Sequence, residues 1–406
     1  MGVTRPASFS LAGSVLSANG VFETTLNAVD GVLTDAESVD FERERVSGLL
    51  VPAIIDLGVF AIDKPACHAG GIVRAALMPD QSPPLDIAAR VRFLAQSGKP
   101  GLWVHPLAAA TAGLAGKELA ELALMKDAGA RAVATGRRWI ANSAVMLRVL
   151  EYAAMLDLVV VTHAEDSHLA GNAAATAGEM ATRLGLPAAP AEAEALAIAR
   201  DIALAEMAGA RLHIRQATTR AGLDLVRAAK RRGVSVTAGV TPAHFMLSDL
   251  ALADYRTFMR LSPPLRCEDD RQAVREAIGD GTIDVIASGH DPRGPEDKNL
   301  PFTDALPGMA GAQTLLPLTL SLVRDGIIDL SRVFDLLAAN PAKLLGLNAG
   351  SLTVGLEADV ALIDPDAPWV VNADTMPGMA GNTPFDRQPM QGKVLRLWKG
   401  GTEIDL

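Results

Sequence analysis

A (β/α)8 barrel carrying a small β domain built from both chain ends is the fold this sequence predicts, on three observations. Eight short apolar runs alternate with amphipathic stretches of helical period through the middle of the chain. Those runs are apolar on both faces, as strands of a parallel sheet covered by helices must be. The two ends differ in texture, with shorter β-like runs broken by Asp-Gly and Asn-Gly turn signals.

The apolar runs are Val51–Phe60, Gly71–Pro79, Gly101–Pro106, Arg131–Thr135, Leu158–Glu165, Arg211–Thr218, Val234–Thr241 and Ile283–His290. Helical periodicity fills the gaps over Asp86–Ser97, Lys117–Ala128, Asn142–Leu156, Glu192–Ala208, Ala221–Arg232 and Asp269–Ile278. Crossover helices bury one face of each strand and barrel packing buries the other, so eight units predict a closed barrel. An open doubly wound sheet is the alternative, but no Gly-x-Gly-x-x-Gly turn follows any strand. At the ends, Phe9–Leu16, Val21–Ala28, Ala358–Pro365, Trp369–Asn372 and Lys393–Trp398 read as strands. The expected division is residues 51–354 for the barrel, and 1–50 with 355–406 for one composite β domain.

Composition narrows the class. Of 406 residues, 49% are hydrophobic and 21% charged, the balance of a well-cored globular protein. A net charge of −10 argues against nucleic acid or an anionic membrane as partner. Two cysteines, Cys67 and Cys267, exclude a disulfide framework and carry no histidine–acid arrangement for a nucleophile. The uncharged stretch from Ala305 to Val323 contains Pro307, Gly308, Gly311, Gln313 and Pro317, so a loop entering a buried helix is expected there, not a membrane span. A cytoplasmic protein is the expectation.

Four later stretches carry a family resemblance. They are Ser262-Pro263-Pro264-Leu265-Arg266; Glu296 to Phe302 continuing to Leu306-Pro307-Gly308; Asn340 to Leu347; and Gly355 to Val360 with Gly381-Asn382-Thr383-Pro384-Phe385. In this order and register the chain resembles dihydroorotase, a cyclic amidohydrolase of the amidohydrolase superfamily, over roughly residues 50–400. The resemblance implies a site at the C-terminal ends of strands 1, 4, 5, 6 and 8, where one or two divalent metals polarise an amide and activate water.

Carried over residue by residue, that site is largely gone. The Asp-x-His-x-His that opens such barrels reads Asp56-Leu57-Gly58-Val59-Phe60, and neither Gly58 nor Phe60 can ligate a metal. The fourth strand ends in Thr135 and Gly136 where an acidic or carboxylated-lysine ligand belongs. Gln216 stands for the sixth-strand histidine, and Gly289 for the aspartate that binds metal and shuttles the proton. His163 alone is retained. The substrate positions have changed as well: Ile62 for the carboxylate-gripping arginine, Asp80 and Ser262 for asparagines, and Arg293 for a histidine.

The implied function is a non-catalytic dihydroorotase-like subunit of pyrimidine biosynthesis, without catalytic residues or cofactor. By resemblance to degenerate bacterial homologues, it would assemble with aspartate carbamoyltransferase, and a homo-oligomer is compatible. The alternative is an active dihydroorotase or related cyclic amidohydrolase with a remodelled, metal-poor site using zinc. His163 would then hold metal with Glu165, Asp166 or His290; a leftover inward histidine bonded in the pocket is the plainer expectation, since metal sites need three or four convergent ligands. Strand alternation from Gln216 sends Leu212 and Ile214 inward and His213 outward, and sends Gly289 inward and His290 outward. His68 and His105 are expected as solvated or loop-capping histidines and His244 as a packing residue. Arg137-Arg138 and Lys230-Arg231-Arg232 are expected as solvated charge runs. Phe60, pointing inward, would plug the vacated metal volume, its burial contributing about 2–3 kcal/mol.

Overall fold

The computed structural model describes residues 8–17, 19–35 and 42–406. Residues 1–7, 18 and 36–41, part of the expected 1–50 segment, lie outside the described residues. In chain order the strands are β1 (Phe9–Ser17), β2 (Gly20–Val29), β3 (Val32–Thr34), β4 (Glu44–Pro52), β5 (Ile54–Val59), β6 (Ile72–Leu77), β7 (Trp103–Ala109), β8 (Ala132–Ala134), β9 (Val160–Thr162), β10 (Ala175–Thr176), β11 (Ala188–Ala189), β12 (Leu212–Ile214), β13 (Val236–Val240), β14 (Val285–Ile286), β15 (Val360–Val370), β16 (Pro389–Lys399) and β17 (Thr402–Ile404).

Eight of these form a parallel sheet in the order β14-β13-β12-β9-β8-β7-β6-β5. Its two ends meet where the Phe60 amide donates to the His290 carbonyl at 2.8 Å and the Ser288 amide donates to Asp56 Oδ1 at 3.0 Å. All eight predicted strand runs lie in this sheet, and the result is the (β/α)8 barrel the alternation predicts. Inside it pack Ile55, Leu57, Met78, Leu107, Val159, Val161 and Phe60, with Leu344 and Leu345 of the helix Asn340–Leu345 in the same cluster. Between strands and helices a larger cluster includes Ile214, Val236, Ile198 and Val226.

Helix boundaries follow local chemistry. Asn142 Oδ1 accepts from the amides of Ala144 and Val145 to start Ser143–Met155. Thr219 accepts from Gly222 to start Arg220–Arg231. The helix Glu192–Ala208 ends at Gly209, whose φ of 60° is the left-handed cap that glycine adopts without strain.

The second sheet has the order β17-β16-β15-β4-β1-β2-β3, joining both ends of the chain. The runs 358–365 and 369–372 are one strand, β15, broken only by register shifts against β16. β4 extends the sheet to Pro52, which pairs with Val360. Arg74 ties this sheet to the barrel, with Nε 2.7 Å from Asp359 and Nη2 2.7 Å from Glu357. Lys399 meets the same two carboxylates at 2.7 and 3.0 Å. The uncharged 305–323 stretch is loop leading into the buried helix Leu315–Arg324. Among the described residues no helix is long and apolar enough to cross a membrane.

Candidate functional site

The C-terminal mouth of the barrel holds a cavity of about 200 Å³ lined by Phe60, Arg137, Arg138, Arg215, Gln216, Thr241, His244, Leu261, Ser262, Gly289, Asp291 and Pro307 to Met309. At its centre is the Phe60 ring. The Arg137 guanidinium carbon sits 3.8 Å from the ring centroid and that of Arg215 5.3 Å away. Both distances allow cation–π attraction, which strengthens where water is excluded.

Each guanidinium is placed by a different strand end. The Arg137 amide donates to Asp80 Oδ1 at 2.9 Å, and its Nη1 lies 2.5 Å from Asp291 Oδ2. Asp291 also accepts from Arg293 at 3.1 Å. Arg215 Nη2 donates to His163 Nδ1 at 3.0 Å, since a guanidinium has only donors. The Nε2 of His163 therefore carries the ring proton and faces Glu165 Oε2 at 3.6 Å. Burial would raise the Glu165 pKa, but His163 and Arg266 overcome it and hold it down at about 2. Behind it, Arg266 reaches buried Glu194, which also accepts from the Thr218 and Thr219 amides and hydroxyls. The carboxylate of Glu165 stabilises the fold fully above its ordinary value of 4.5. Glu165→Gln is accordingly expected to lower stability by about 1–3 kcal/mol at pH 7, read as a fall in denaturant midpoint; an unchanged midpoint would refute it.

The structure brings Phe60, Gln216, Ser262 and Gly289 to the cavity, as the sequence reading expects. Other positions go elsewhere. Ile62 packs against the outer apolar cluster. Thr135 accepts from the His163 amide at 3.0 Å, and an added Cβ at Gly136, φ 77°, would lie 2.7 Å from Asp80 Oδ1. From the fourth strand it is Arg137 that reaches the mouth. This corrects the expectation of a solvated Arg137-Arg138 run, although Arg138 at the rim is exposed. Gly58 adjoins the Ala287 side chain. Asp166 caps the short helix Ser167–Ala170, and His290 Nε2 faces Asp63 at 3.3 Å.

The expected orientation of His213 is reversed. In register, Leu212 pairs with Val160 and His213 with Val161. Val160 belongs to the outer cluster and Val161 to the inner one, so His213 faces the barrel interior, bonded to Thr237 Oγ1 at 2.8 Å. β12 ends at Ile214, so alternation does not extend to Gln216. His105 is likewise no solvated loop residue: it lies within β7, buried beside Ala76 in register. His244 is the packing residue expected, its ring between Thr241 Oγ1 at 2.8 Å and the Pro263 carbonyl at 3.1 Å.

The donor set does not fit a divalent metal. Two cations and a phenyl ring converge on the mouth, and both nitrogens of the one retained imidazole are engaged. Gly289 has φ 60°, and an added Cβ there would lie 2.9 Å from Thr241 Cγ2, so the backbone itself is set against a carboxylate at that position. Among the described residues no group of three or more His, Cys, Asp or Glu is arranged to hold a metal.

Comparison with known proteins decides the family. Residues 49–221 match the family model described as Dihydro-orotase-like. A dihydroorotase of Syntrophotalea carbinolica is 40% identical over 386 residues, 91% of this chain and 90% of that protein. The chain belongs to the dihydroorotase-like family. A dihydroorotase of Pelobacter propionicus is 41% identical over 341 residues, 84% of this dihydroorotase-like chain and 80% of that protein. Among solved structures, the L-hydantoinase (dihydropyrimidinase) from Arthrobacter aurescens superposes with a TM-score of 0.86 at 23% identity, covering 98% of this chain and 96% of that one. At that identity the likeness concerns the fold alone.

Proposed function

We propose that this dihydroorotase-like chain is a non-catalytic member of its family whose barrel serves as a structural subunit. The observation that carries the reading is the Phe60 ring, clasped by Arg137 and Arg215 at the strand-1 position matched to a ligand histidine. Such a mouth repels a divalent cation, and the general-base position is Gly289. Purified full-length protein is expected to contain less than about 0.1 zinc or manganese per chain and to leave dihydroorotate unchanged. Stoichiometric metal with turnover would overturn the proposal. Assembly with aspartate carbamoyltransferase is proposed from the resemblance to degenerate homologues, and light scattering of the two proteins mixed at micromolar concentration tests it separately.

A second reading is favoured by the relatives. Those 35–41% identical to this chain are named dihydroorotase, which speaks for an active dihydroorotase or related cyclic amidohydrolase with a remodelled site. Under it, zinc is the cofactor and His163 with Glu165 the residues nearest to a donor pair. The same metal and turnover measurements separate the two readings.

A further inference from the structure

We propose that the cavity at the barrel mouth is a binding site for a small oxyanion bearing an O–H or N–H donor, held by the guanidiniums of Arg215 and Arg137. The positions that carry it are neither metal ligands nor the matched substrate-binding positions Ile62, Asp80, Ser262 and Arg293, so the inference goes beyond either reading of catalysis.

Arg215 is the central observation. It is 7% exposed, lines the cavity, and among the described residues forms one hydrogen bond, the Nη2 contact with neutral His163. Its Nε has no partner. A buried cation without a directly bonded anion is costly, and native structures rarely retain one without compensation. The carboxylates around it are turned to other partners. Asp291 bonds Arg137 and Arg293, and Glu165 faces His163 and Arg266. Asp80 holds the Arg137 amide through Oδ1 and acts on Arg215 only at range. Burial pulls the Arg215 pKa down to about 10, which leaves it fully cationic at neutral pH.

The remaining wall fits the same ligand. Arg137 stacks flat on Phe60, a geometry that keeps guanidinium N–H groups in the ring plane available for a forked interaction with two oxygens. His244 is held neutral by burial, its pKa about 4. Gln216 lines the cavity with its side-chain oxygen unpartnered, leaving an acceptor for a donor on the ligand. A volume of about 200 Å³ suits an anion of a few heavy atoms. The ligand class is therefore a phosphate or a small hydroxy- or amino-carboxylate.

Thermal unfolding of the full chain at pH 7.5 and constant ionic strength tests this with inorganic phosphate, glycolate and acetate, each up to about 10 mM. Phosphate or glycolate is expected to raise the melting temperature saturably, and whichever acts at lower concentration identifies the source as phosphate or carboxylate. Acetate, which lacks the donor, is expected to bind about tenfold more weakly than glycolate. Arg215→Met is expected to weaken the effective probe at least about tenfold. No saturable shift with phosphate or glycolate, or equal binding by Arg215→Met, overturns the proposal. Should that variant fail to fold, bromide-soaked crystals of the unaltered protein decide: density beside the Arg215 guanidinium supports the site, and density only elsewhere rejects it.

Discussion

The protein is expected to lose stability steeply as pH falls from about 6.5 towards 4, because three histidines are buried in their neutral form. Burial, reinforced by the charges of Arg74 and Arg131, lowers His105 from 6.5 to about 3. His213 falls to about 3 through burial, with Lys230 and Arg215 adding to it, and His244 to about 4. In each case the unfolded chain binds the proton more readily than the folded one. The stabilising contribution is thus whole above pH 6.5 and drains away as pH drops toward the folded value. At pH 4 each would have lost on the order of 3 kcal/mol, and the three together rival the roughly 5–15 kcal/mol of an ordinary domain. The expected result is acid unfolding with a midpoint above pH 4. His105→Leu, which removes an imidazole whose Nε2 has no partner, should flatten the slope of unfolding free energy between pH 6 and 4 by about 1.36 kcal/mol per pH unit. An unchanged slope in that variant would refute the assignment.

These histidines also mark where sequence reasoning stopped. The eight strand runs and six helices were legible because burial on both strand faces and on one helix face leaves a periodic apolar trace. Side-chain direction was less so. β8, β9 and β12 span three residues each and β14 two, so alternation counted from a loop residue such as Gln216 inverts His213. β5 shifts register between Asp56 and Val59, and parity from Ile55 does not survive to Phe60. The substitutions at Gly58, Phe60, Gln216 and Gly289 were visible residue by residue. What replaced the lost groups was not, since Arg137 and Arg215 come from separate βα units and meet only once the barrel closes. An arginine directly after a buried strand end was the available signal at both positions, and at Arg137 it reads equally as a solvated charge.

Phe60→Ala should be among the most destabilising single substitutions at the mouth, costing about 3–5 kcal/mol in denaturant unfolding. The ring is buried, belongs to the inner barrel cluster, and is the surface against which both guanidiniums rest. Without it Arg215 keeps its neutral imidazole partner and gains no carboxylate, so lost cation–π attraction adds to the cavity cost. A loss below about 0.5 kcal/mol would show that the ring bears no such load. Phe60→His sharpens the argument, because it restores a ligand type at the matched position without removing what opposes a metal. Arg137 and Arg215 still present positive charge, both nitrogens of His163 remain engaged, and the Gly289 backbone still excludes a carboxylate. The variant is therefore expected to be less stable than the native chain and to bind no zinc. Stoichiometric zinc in it would mean that a single side chain separates this mouth from a metal centre. No zinc would place the barrier in the whole constellation, with the phenyl ring and its two cations forming an alternative filling of the same space.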